Sequence, residues 1–137
     1  MFTLSRILFC IAIFCTLTVQ AQLAVTVAPP KITAQKAIVS LAMTNNLTES
    51  VGSARAICFL LDEQGKMIGQ SSKWVIGGTK DRPALSPKNG TTFNFVITSQ
   101  KPFTTTNLTA KVSFSRVVLN GDKLADVTKA VIITNRK

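Results

Sequence analysis

A chain of 137 residues has room for one ordinary domain. Sixteen Lys and Arg against six Asp and Glu give a formal net charge of +10, and 46% hydrophobic with 16% charged residues is globular composition. That excludes a collagen-like, coiled-coil or fully disordered chain, and the absence of His removes Ser-His-Asp and Cys-His catalysis and the commonest metal ligand.

The chain opens with MFTLSRILFCIAIFCTLTVQA. Arg6 gives a short positive start, Ile7 to Val19 is an uncharged and mostly apolar stretch of 13 residues, and Val19 and Ala21 stand at −3 and −1 of a small-residue cleavage site. This predicts a secretory signal peptide over residues 1–21, cut between Ala21 and Gln22, and a domain over residues 22–137. The alternative is an uncleaved anchor, but such a stretch rises only about 20 Å as a helix, against a hydrocarbon core of roughly 30 Å. Cys10 and Cys15 each follow a Phe, unlike the Leu-small-small-Cys pattern of lipoproteins. Clipping the leader leaves Cys58 as the lone thiol, so no internal disulfide is available despite an exported, periplasmic or secreted destination. It also removes Arg6 and no acidic residue, lowering the net charge to +9.

After Gln22 the dominant pattern is alternation with β-branched residues, punctuated by turn chemistry. Leu23–Val27 is the first predicted strand, stopped by Pro29-Pro30. Ala37–Thr44 is the second, with Ala37, Val39, Leu41 and Met43 pointing inward. Ala54–Asp62 is the third. Its unbroken apolar centre, Ile57 to Leu61, suits a central strand covered on both faces, or one whose outer face meets something else. Asp62-Glu63-Gln64-Gly65 is a hairpin turn, with Asp62 expected to cap backbone, and Lys66–Gln70 is the return strand. Ser72–Ile76 either continues that strand or forms a short one of its own. Gly77 to Asn89 is irregular; Gly77-Gly78 lacks the Gly-Lys-Ser/Thr ending of a phosphate loop and reads as a turn.

Thr91–Thr98 follows, with Phe93, Phe95 and Ile97 on one face. Leu108–Leu119 comes next with Val112 and Phe114 inward, and its phase slips at Arg116, which predicts a β-bulge. Asn120-Gly121 signals a type I′ hairpin, and Leu124–Thr134 is the last strand. With no segment of crossover-helix length, the sheets are expected to be antiparallel. About seven strands at this spacing predict an all-β, immunoglobulin-like antiparallel sandwich, without the disulfide of antibody domains.

Three segments carry a family resemblance: Val39 to Asn45, Cys58 to Gly69, and Leu85-Ser86-Pro87-Lys88-Asn89-Gly90-Thr91-Thr92-Phe93. Over about residues 36–97 the chain resembles the FxLYD-type immunoglobulin-like domains of exported bacterial proteins. Cys58 stands where that family has Phe, and Leu61 where it has Tyr. The resemblance implies a sandwich on the envelope side and brings no catalytic residues with it.

The residues offer little chemistry. Glu49, Asp62, Glu63, Asp81, Asp122 and Asp126 are scattered, so neither a catalytic carboxylate pair nor a metal site is predicted, and no cofactor is implied. Cys58 lies inside an apolar strand and reads as a buried core residue. Asn46, Asn89 and Asn107 begin Asn-x-Thr triplets, which matter only in a glycosylating host. Lys73 and Trp74, followed by Lys80 and Arg82, form a cation–aromatic group that could bind an anionic glycan or a membrane surface, although a Trp in such a fold more often fills the core. The expectation is therefore a non-enzymatic exported module. Its partner would be a protein or an anionic envelope component, with no nucleic acid and no membrane span in the mature chain.

Overall fold

The structure is a computed structural model that describes residues 21–137. The expected leader, apart from Ala21, lies outside the described residues. Among them, no helix is long and apolar enough to cross a membrane.

Among the described residues nine strands form two sheets: β1 (Leu23–Val27), β2 (Lys31–Thr33), β3 (Lys36–Asn45), β4 (Val51–Leu61), β5 (Met67–Ile76), β6 (Gly90–Thr98), β7 (Thr109–Leu119), β8 (Lys123–Leu124) and β9 (Val131–Asn135), with a four-residue helix α1 (Val127–Ala130) before the last. In the five-stranded sheet β3 is the spine. β6 runs antiparallel along one side of it, β1 and β2 share the other side, and β9 lies beyond β1. The four-stranded sheet runs β5-β4-β7-β8.

One apolar cluster joins the two sheets. The alternation of β3 buries Ala37, Val39, Leu41 and Met43, as its sequence predicts, and β6 adds Phe95 and Ile97. The inward positions of β4 are smaller: Ala54, Ala56 and Cys58 precede Leu60. Small residues on one sheet and bulky ones on the other let the layers interdigitate at close packing. The apolar run Ile57 to Leu61 is explained by position: β4 is central, and Ile57, Phe59 and Leu61 stay half-buried on its outer face.

The strand count differs from the expected seven in two places. β2 is a three-residue strand that turns into β3 through Ala34 at φ 49°, a left-handed conformation that an Ala does not announce in a sequence. The predicted last strand is broken in two. β8 stays with β7, then Asp126 accepts hydrogen bonds from the Thr128 backbone N–H (3.1 Å) and hydroxyl (2.7 Å), which starts α1. The chain then crosses to the other sheet as β9, parallel to β1 with Leu23 opposite Val131. An all-antiparallel arrangement is thus corrected. A parallel pair made of the first and last strands needs no crossover helix, because the rest of the domain is the connection.

Of the two alternatives for Ser72–Ile76 the structure takes the first, and the segment continues β5. One local expectation changes. Leu119 pairs with Lys123, so the β7–β8 loop is Asn120-Gly121-Asp122, with positive φ at Gly121 (75°) and Asp122 (57°) instead of a two-residue Asn-Gly turn.

Candidate functional site

Trp74 does not fill the core. It sits half-buried on β5 opposite Arg55 of β4, on the outer face of the four-stranded sheet. The Arg55 guanidinium carbon lies 5.5 Å from the centre of the indole ring. The backbone of Gly78 closes against that ring so tightly that a Cβ there would come within 2.5 Å of Trp74 Cγ. Arg82 turns the other way. Its Nη1 donates to the Trp74 carbonyl, and its guanidinium lies 4.4 Å from the centre of the Phe93 ring on β6. Arg82 thereby ties the irregular loop after β5 to both sheets. Alternation puts Lys73 on the opposite side of β5 from Trp74, and Lys80 is exposed in the loop. The four residues therefore do not converge on one surface.

The structure gathers a different set around Trp74. β5 carries one extra residue, Val75, between the partners of Arg55 and Ala54; β7 carries one, Ser115, between the partners of Arg55 and Ala56. These two bulges flank Arg55 and line up Trp74, Arg55 and Arg116 as one row across three strands. The Ser115 hydroxyl donates to the Arg55 carbonyl at 3.3 Å, which occupies the bulge. Further along, Ile57 pairs with Ser72 and Ser113, and Phe59 with Gln70 and Lys111. The phase slip at Arg116 was readable in the sequence. Its alignment with Arg55 and Trp74 was not, because register across strands far apart in the chain leaves no local mark.

The acidic residues have other work. No strand contains one. Asp62 Oδ1 accepts from the backbone N–H groups of Gln64 (2.9 Å) and Lys66 (2.8 Å), closing the β4–β5 turn as expected. Glu63 accepts from the Thr105 hydroxyl at 3.1 Å, and Glu49 pairs with Lys123 at 2.9 Å. The Thr128 hydrogen bonds hold the Asp126 carboxyl below the usual carboxylate range. Among the described residues no three of the Cys, Asp and Glu side chains gather as a metal would require. Cys58 is fully buried, and burial pushes its thiol up to about 11, so it is un-ionised at neutral pH. Asn46, Asn89 and Asn107 are all exposed.

A cleft of about 460 Å³ lies between the end of β5, the following loop and the start of β6, with Asp81, Arg82, Ser86, Thr91 and Phe93 among its walls. Arg82 is already engaged there with Phe93 and the Trp74 carbonyl. Trp74 with Arg55 and Phe93 with Arg82 each set a cation beside an aromatic ring.

No family model matches this chain, and no curated protein matches it. Among solved structures it is similar to a glycosyl hydrolase family 2 member from Bacteroides cellulosilyticus DSM 14838, with 19% identity and a TM-score of 0.41. That match covers 74% of this chain and 14% of the other.

Proposed function

We propose that this chain is an exported, non-catalytic binding module of the cell envelope, periplasmic or secreted, built as an immunoglobulin-like sandwich of the FxLYD kind. The observation that carries the reading is the division of labour among charges. The carboxylates sit outside the strands, several of them holding turns, a helix start and an ion pair, while the four-stranded sheet keeps Arg55, Lys73, Lys111, Arg116 and Lys123 and no acidic residue. Such a surface is suited to recognition and attracts polyanions at long range.

Expression in a bacterial host with the native leader, followed by fractionation and intact-mass measurement, tests the export half. The expected product begins at Gln22 and is found outside the cytoplasm. Capture from the same envelope fraction tests the binding half, with a component expected to elute as salt rises. A cytoplasmic full-length product would overturn the first half. Turnover that disappears when a single carboxylate is changed would overturn the second.

A further inference from the structure

The Trp74–Arg55–Arg116 row carries a charge imbalance that a ligand can relieve. Neighbouring strands lie about 4.8 Å apart, and like charges directly opposite each other destabilise a sheet. Arg55 and Arg116 are direct partners in register. Among the described residues the ion pair that forms is Lys123–Glu49, so neither arginine has a carboxylate at salt-bridge distance. The row also rests on two bulges, a device that re-aims side chains. Trp74 holds the Arg55 guanidinium by a cation–π contact, with the Gly78 backbone closed against the indole. One cation is thus fixed in place with N–H groups left to donate.

The face continues beyond that row. Phe59 lies four residues along β4 from Arg55, about 13 Å at ~3.3 Å per residue, and Lys111 is its partner in register. Between them Ile57 is half-buried. The pattern is cations, then apolar surface, then a cation beside an aromatic ring. A small anion would occupy one row. An extended chain bearing spaced anionic groups and apolar C–H faces would span both. The apolar side chains that protrude on this face, Met67 and Leu124, stand at its two ends, opposite Leu61 and Val118, while Ile57 and Phe59 between the cations are half-buried, so the stretch between the cations suits an extended chain better than a lipid surface.

We propose that the outer face of the four-stranded sheet binds an acidic polysaccharide. Arg55 and Arg116 grip one carboxylate or sulfate group, Lys111 meets a second, and Phe59 packs against a sugar ring between them. This rests on the reading of the chain as a binding module and names its ligand class.

Trp74 is the sole Trp of the sequence, so intrinsic emission reports directly on the row. The purified protein is titrated with heparin, with polygalacturonate, with neutral dextran and with phosphatidylglycerol vesicles, each over a salt series. Both polyanionic polysaccharides are expected to shift the emission, more weakly as salt rises, and dextran to leave it unchanged. The R55Q/R116Q pair should weaken binding by about a hundredfold, roughly tenfold for each charge-assisted contact. Its fold can be checked independently: relief of the repulsion should leave its unfolding midpoint equal or higher. The K31Q/K36Q pair removes the same charge from exposed positions of the other sheet and should change affinity by less than about threefold. Equal losses in the two pairs, an emission shift from vesicles alone, or no shift with either polysaccharide would each overturn the proposal. An envelope partner captured equally by the wild type and by R55Q/R116Q would remove this face while leaving the binding-module reading in place.

Discussion

At the residue scale two buried side chains have sharply defined environments. Asn45 is fully buried at the end of β3. Its Nδ2 donates to the carbonyls of Glu49 and Leu85, both at 2.9 Å, and its Oδ1 accepts from the Leu47 backbone N–H at 2.9 Å. One amide thus closes the β3–β4 loop and anchors the long loop that passes at Leu85. Asn45→Ala leaves the Glu49 carbonyl and the Leu47 N–H without a partner, while the Leu85 carbonyl keeps the Val51 N–H at 2.9 Å, and we expect a loss of about 2 kcal/mol in urea unfolding. Asn45→Asp keeps the size but turns a donor into an acceptor facing two carbonyls, so it should be worse than the Ala variant. Cys58 gives a pH signature. Its thiol is held near 11 by burial against an ordinary value of 9.0, so the folded state keeps its proton while the unfolded chain releases it. Stability from this group is present below pH 9 and falls as pH rises from 9 to about 11. Unfolding curves of the wild type and Cys58→Ala across that window should therefore converge at the alkaline end, and the native thiol should resist a disulfide reagent at pH 8. Parallel curves would remove the effect.

At the element scale the exit from β5 is the most constrained segment. A Cβ on Gly77 would meet the Gly52 carbonyl oxygen at 2.0 Å, and Gly77 has φ +55°. A Cβ on Gly78 would instead meet the Trp74 side chain, at φ +76°. Backbone cannot yield and an indole can. Gly77→Ala should then cost well over the ~1 kcal/mol of positive φ alone, whereas Gly78→Ala should cost less and chiefly shift Trp74 emission. Equal costs, read by urea unfolding, would contradict this assignment of neighbours. The same elements show what a sequence can and cannot tell. The inward alternation of β3, the turn after β4 and the slip at Arg116 were all legible, because each is written in residues adjacent in the chain. Asn120-Gly121 misled by one position, since Asp122 also accepts positive φ. The split of the last strand and the parallel β1–β9 pair were not legible, because they depend on which sheet offers a free edge. The candidate site suffered in the same way: Lys73, Trp74, Lys80 and Arg82 are close in sequence, but alternation and the inward turn of Arg82 separate them, while Arg55 and Arg116 come from distant strands.

At the scale of the whole molecule, the excess of cations over carboxylates has a consequence for stability. With a formal charge of +10, long-range repulsion opposes the compact state, and added salt screens it over a Debye length of about 10 Å at 0.1 M. Raising salt from low to physiological strength should therefore raise the unfolding midpoint, by about 4 °C if screening is worth ~1 kcal/mol to a domain of this size. A bound polyanion removes the same repulsion by occupying the cationic face, and at a hundredfold excess over Kd it adds about 2.7 kcal/mol by mass action. Salt then competes with the ligand. The sign of the salt effect should thus invert: positive for the protein alone, negative in saturating heparin. The inversion should vanish in the R55Q/R116Q pair if the Arg55 row is where the polymer sits, and survive there if the attraction is spread over the whole surface. A series of thermal melts at fixed heparin and increasing sodium chloride reads both outcomes from the same samples.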